Sequence, residues 1–169
     1  YVRFESNGER LTTVPTYGPT TVELWFRVPA GTTTSGVLYA YQSAAVDGAN
    51  PASGNWVPAL YVGADGYLRG EFWTGMVEPI TSKTKVNDGG WHHVVLSAPY
   101  QLQQTLYLDN AMVGTTGAPT GTEAVTGFLG AGTTRNWPAV SGDVSFFKGN
   151  IAEFAFYTTA LTAADVDSH

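Results

Sequence analysis

The sequence predicts an all-β fold, an antiparallel β-sandwich or jelly roll with one short C-terminal helix, in a single domain over residues 1–169. Three observations predict it. Apolar and polar residues alternate with period two along most of the chain, the spacing that gives a strand one buried and one outward face. Gly, Asn, Asp and Pro punctuate these runs at short intervals, as hairpin-linked strands require. Helical periodicity is confined to residues 161–169. Many short strands with a single helix pack as sheet on sheet. A chain of this length buries roughly 70% of its unfolded surface, enough for one real core.

The elements follow in order. YVRFES at the start already reads as a strand, so we expect a mature piece of a longer protein whose targeting signal is not shown. TTVELWFRVP sets Val22, Leu24, Phe26 and Val28 on one face and Glu23, Trp25 and Arg27 on the other. GVLYAYQ is a second strand. PALYVGADGYLRGEFW reads as a hairpin, with strands near Ala59–Gly63 and Tyr67–Trp73 around an Asp65-Gly66 turn, a pair suited to the positive φ of tight turns. GWHHVVLSA is rich in β-branched residues. QQTLYLDNAMVGTT turns at Asp109-Asn110, where Asn tolerates the left-handed conformation. FFKGNIAEFAFYTT is a final long strand. In LTAADVDSH, Thr162 and Asp165 have capping-box spacing. Residues 43–56 and 131–145 are long polar loops, a length that often marks function.

Charged residues make up 13% of the chain, about half the usual ~25%, and turn and ring residues fill the gap. The net charge is −6 and the basic residues are scattered. Nucleic acid is therefore excluded as a partner, because phosphate neutralisation needs a clustered basic surface. No apolar run approaches the ~20 residues of a membrane span, which argues against membrane insertion. The absence of cysteine removes thiol catalysis and thiolate metal sites.

The adjacent His92 and His93 invite a metal or general-base reading. Successive strand residues point to opposite faces, so the pair cannot share one metal on an undistorted strand. Packing within the sheet is the expectation for both, and solvent for His169. Glycan hydrolysis needs two carboxylates roughly 5–9 Å apart. No strand carries acidic residues at i and i+2 or i+4; Glu71 and Glu153 stand alone. No G-x-S-x-G elbow is present either. The expectation is no enzyme and no catalytic residue.

VNDGGWHHVVLS, QTLYLDNAMVGT and FFKGNIAEFAFYTTALTAADV, together with VELWFRVP and LYVGADGYLRGEFW, resemble the laminin G-like domains of the concanavalin A-like lectin/glucanase superfamily, in their bacterial, actinobacterial-looking form. The resemblance spans nearly the whole chain. It implies a jelly roll of two curved sheets, a glycan or protein ligand, often a calcium ion at the loop rim, and a place in a larger secreted or surface protein. Asn110 stands where the family commonly has Gly. Animal relatives usually carry a disulfide, and its absence points to a bacterial source.

Two surfaces are candidates for ligand contact. One is the set Trp25, Arg27, Tyr61, Tyr67, Arg69, Glu71, Trp73 and Tyr107, with Tyr39 and Tyr41 beside it, on the strand faces opposite the core. Rings take the apolar face of a pyranose and charges bond its hydroxyls; alternatively, loops cover these rings and they form a second core. The other is the rim, with Asn55 and Trp56 in one loop and Arg135, Asn136 and Trp137 in the other. An indole on a polar loop costs solvation unless it packs or binds something, so Trp56 and Trp137 lead the site. Calcium takes six to eight oxygens, for which Asp47 and Asp143 are the first ligands expected. The resulting expectation is a non-catalytic lectin-like or adhesion module, binding a glycan or glycosylated surface. A protein-interaction or spacer module of a secreted toxin or cell-wall assembly is the alternative, with another domain or chain as partner. A glycan hydrolase ranks last.

Overall fold

The alternation in TTVELWFR is realised as one long strand whose Val22, Leu24 and Phe26 are fully buried, and the same logic builds most of the molecule. The structure is a computed structural model that describes residues 1–5, 18–42, 54–121 and 126–169. Among them are β1 (Val2–Glu5), β2 (Thr20–Arg27), β3 (Gly36–Gln42), β4 (Trp56–Val62), β5 (Tyr67–Gly70), β6 (Ile80–Lys85) and β7 (Trp91–Ala98). These are followed by β8 (Gln104–Leu108), β9 (Ala111–Thr116), β10 (Thr126–Leu129), β11 (Ala131–Thr133), β12 (Val144–Phe146), β13 (Asn150–Tyr157) and α1 (Ala163–Ser168).

One sheet runs β1-β10-β3-β4-β5-β6, and the short β11–β12 pair joins it where Phe146 lies parallel to Val37. The other runs β13-β2-β7-β8-β9, antiparallel throughout. The core lies between them, with Val22, Leu24, Phe26, Val94, Leu96 and Leu106 meeting Tyr39, Tyr41, Leu60, Leu68 and Phe72. Gly70 marks the close approach of the two sheets: a Cβ there would stand 2.8 Å from Leu106 Cδ1. The expected all-β sandwich is thus what the chain forms.

The turns follow their residues. Asp109 and Asn110 both adopt positive φ (50° and 63°), the pattern of a two-residue hairpin turn of the primed kind. The β4–β5 turn is a residue longer than a pure Asp-Gly turn. Gly63 N–H donates to Tyr67 O at 2.9 Å, and only Gly66 is left-handed (φ 86°). Thr162 caps α1, accepting from Asp165 N–H, and Asp165 answers in a capping box.

Two expectations need correction, and one strand was not expected. The segment 131–145 is not a plain loop, because β11 and β12 pair across it and hold its ends together. ITSKTK forms β6, a polar edge strand with no alternation in its apolar content. The strand after the turn ends at Gly70, before Trp73. His169 is exposed, as expected, and its Nδ1 also lies 3.1 Å from both oxygens of Glu23. Among the described residues no helix is long and apolar enough to cross a membrane.

Candidate functional site

The strand faces opposite the core are covered. On the five-stranded sheet, Val95 and Tyr107 point outward and pack under Val166 of α1, with Leu161 beside them. Glu23 is buried on the same face. Its carboxylate accepts from Tyr157 Oη at 2.8 Å and pairs with His93 Nε2 at 2.7 Å. Burial pushes Glu23 up, but these bonds and the one to His169 more than offset it, holding the carboxyl below the usual range. His93 also stacks on Trp25, with ring centroids 5.0 Å apart. His92 faces the other way, against Phe26, and bonds Asp109 at 2.9 Å and Asp88 at 3.2 Å. Both histidines are structural, one on each face of β7.

The other sheet buries its outward set too, which corrects the expectation of a sugar platform there. Tyr61 is fully buried; its hydroxyl donates to Pro138 O at 3.0 Å, and burial raises its pKa. Tyr39 and Tyr41 lie in the inter-sheet core rather than on the outer face, in ring contact with Phe154 and Phe72. Arg69 is 8% exposed and gives both terminal nitrogens to Asp65, at 2.8 and 2.6 Å. Those bonds lower the Asp65 carboxyl and raise Arg69. Glu71 has no exposed surface; one oxygen accepts from Thr74 Oγ1 at 3.0 Å and the other from Glu78 N–H at 2.8 Å. Burial pushes its pKa up to about 7. Tyr61, Arg69 and Glu71 therefore do not offer themselves to a ligand.

The rim residues converge. Asn55, Trp56, Trp73, Arg135, Asn136 and Trp137 line one cavity of about 210 Å³, together with Gly54, Val57 and Val77. Strand β4 starts at Trp56 and so fixes one wall. The β11–β12 loop supplies the second, closed by Trp137 N–H to Thr134 O at 3.0 Å and by Thr134 N–H to Asp143 O at 2.8 Å. The two walls are tied at the cavity, where Trp56 Nε1 donates to Arg135 O at 3.1 Å. The Arg135 guanidinium stands 5.6 Å from the centre of the Trp56 ring, within cation–π range.

The third wall is the segment after β5. Gln104 grips Phe72 on both sides, accepting from its N–H at 2.6 Å and donating to its O at 2.9 Å. Trp73 N–H donates to Tyr41 Oη at 3.0 Å, and Thr120 N–H to Trp73 O at 2.7 Å. Glu71 anchors Thr74 and Glu78, so Val77 is held on this wall between two fixed points. Sequence reasoning missed Val57 and Val77. Val77 follows no strand alternation, and only the tertiary turn brings it to Trp73.

The tryptophans differ in role. Trp137 is 5% exposed and meets Tyr61 edge-on at 6.1 Å, so it belongs to the core and shows the cavity only a margin. That corrects its expected role as an exposed loop ring. Trp56 and Trp73 are half-buried and pack against the same core, leaving part of each ring to the cavity. The first calcium ligand expected, Asp47, lies outside the described residues. Asp143 accepts from Arg135 Nε at 3.0 Å. Among the described residues no group of three or more His, Asp or Glu suited to a metal occurs.

Comparisons with known proteins agree with the architecture. The model of the Concanavalin A-like lectin/glucanases superfamily family Laminin_G_3 matches residues 1–167. A heptameric SAP-like pentraxin from Limulus polyphemus superposes with a TM-score of 0.59 at 16% identity, over 95% of this chain and 76% of the pentraxin. A putative carbohydrate binding protein from Bacteroides ovatus gives 0.59 at 13% identity, over 97% of this chain and 42% of that one. The binding domain of Paraclostridial Mosquitocidal Protein 1 gives 0.58 at 14%, over 98% and 42%. The chain thus spans less than half of the last two, and likeness at such identity speaks for the fold. No curated protein sequence matches significantly.

Proposed function

Because this chain belongs to the concanavalin A-like lectin/glucanase superfamily, we propose that it is a non-catalytic glycan-binding module of a larger secreted or surface protein. The observation that carries this reading is the rim cavity in which Trp56 and Trp73 expose ring surface beside Arg135, Asn55 and Asn136. Indole faces take the C–H face of a sugar ring, and the amide and guanidinium groups bond its hydroxyls. The likeness to a putative carbohydrate binding protein and to the binding domain of a mosquitocidal protein supports the same reading. No covalent chemistry is proposed. Glu71 is sealed from any substrate and held by its own loop, while Glu153 sits on β13 in the opposite sheet.

A glycan array, run with and without a chelator, tests the proposal. Binding is expected to some glycan in both arms, because the rings and polar side chains on the cavity wall contact the sugar directly. The Trp56→Ala variant should weaken that binding at least about tenfold, the equivalent of ~1.4 kcal/mol. Silence on every glycan in both arms would end the lectin reading. Binding that chelation abolishes would instead place a calcium ion at the rim, with Asp47 and Asp143 as its first ligands.

A further inference from the structure

The charge on the cavity wall narrows the class of sugar. Among the described residues Arg135 is the only charged one on that wall, in a chain of net charge −6. Its side chain is fixed from two sides, by the Trp56 ring at 5.6 Å and by Asp143, which takes Nε at 3.0 Å. Its backbone carbonyl is held by Trp56 Nε1 at 3.1 Å. The guanidinium is thus pre-positioned, and its Asp143 bond uses Nε, so the terminal nitrogens keep their donors for a ligand. Arg69 is the contrast in the same molecule, since both of its terminal nitrogens are consumed by Asp65.

We propose that the cavity takes a terminal sugar bearing a carboxylate, with Arg135 as the residue that selects the acid. The proposal rests on the glycan-binding reading above. The carboxylate accepts from the Arg135 terminal nitrogens, a charge-assisted bond stronger than one to a hydroxyl. The pyranose ring lies against Trp56 and Trp73. Among the described residues no carboxylate lines the cavity to repel it. A volume of about 210 Å³ falls below the ~300–1,000 Å³ of sites that enclose drug-sized ligands, so a single terminal ring fits rather than a chain. The net charge of −6 disfavours long polyanions and leaves a lone acidic end group as the favoured ligand.

Matched sugars test this. Indole fluorescence is titrated with methyl glucuronide against methyl glucoside, and with sialyllactose against lactose. The methyl ester of the glucuronide serves as a neutral control. The acidic member of at least one pair should bind roughly tenfold more tightly, and the pair that responds identifies the acid as a hexuronic or a nine-carbon sugar. Esterification or high salt should each erase most of that advantage on the wild type, and Arg135→Gln should weaken the acidic sugar by a larger factor than the neutral one. Should Arg135→Gln fail to fold, the ester and salt comparisons on the wild type decide alone. Equal affinities within both pairs overturn the acidic class and leave the glycan reading standing. No response to any of these sugars, with binding to neutral glycans on the array, overturns it as well.

Discussion

Glu71 is a single carboxylate whose role is set by its surroundings. Its oxygens pin Thr74 and Glu78 around the segment that carries Trp73 and Val77, and burial pushes its pKa up to about 7. The unfolded chain has the ordinary value of 4.5. A raised acid binds its proton more tightly when folded, so the folded state is favoured while Glu71 is neutral. That contribution is complete below pH 4.5 and is lost as the pH rises towards about 7. Glu71→Gln keeps the shape without the charge. Its melting temperature should gain on wild type as the pH is raised from about 5 to about 8, a window set by these values. A constant difference across that range would show that Glu71 does not carry the buried charge. The residue was visible in the sequence as a lone glutamate; its burial was not, because strand parity places it on an outward face that the molecule then covers.

At the scale of elements, α1 has only six residues, too short to hold itself together in water. It survives through its capping box and through Val166, which seals Val95 and Tyr107 against the outer face of the five-stranded sheet. Thr162→Ala removes the cap and should cost about 1 kcal/mol in chemical denaturation. An unchanged midpoint would mean that docking alone fixes the helix. The capping box was legible because it is a local hydrogen-bond pattern written in residues 162–165. So were the Asp109-Asn110 turn and the alternation in β2, which depend on near neighbours only. Strand β6 was not legible, because its Thr, Ser and Lys residues take strand form from pairing with β5 rather than from their own preference. Strands β11 and β12 escaped for the same reason.

For the whole molecule, the rim cavity and the core are not separate structures. Trp137 serves both, as a buried ring against Tyr61 and as a margin of the cavity. Trp137→Ala should therefore cost about 3–5 kcal/mol of folding stability and impair binding with it. Trp56→Ala should leave far more of the fold intact while removing binding. The pair distinguishes a scaffold ring from a ligand ring when stability and glycan affinity are measured on the same samples. Comparable stability losses in both variants would show that Trp56 is no less structural than Trp137.

The order of residues along the chain was enough to specify a two-sheet sandwich, its inward faces, its main turns and its final helix. Each follows from period-two alternation, turn chemistry or a cap, which are local rules. It also placed Trp56, Trp73, Arg135 and Trp137 among the candidate contacts, with Trp56 and Trp137 leading because an indole on a polar loop must pack or bind something. Only the tertiary structure decided how they divide. Strand parity gives a side chain its face but not what lies above that face. The β11–β12 pair, the loop after β5 and α1 close over the outer faces, so Tyr61, Arg69, Glu71 and Tyr107 became interior. Trp56, Trp73 and Arg135 were left at the one rim where three separate segments meet around open space.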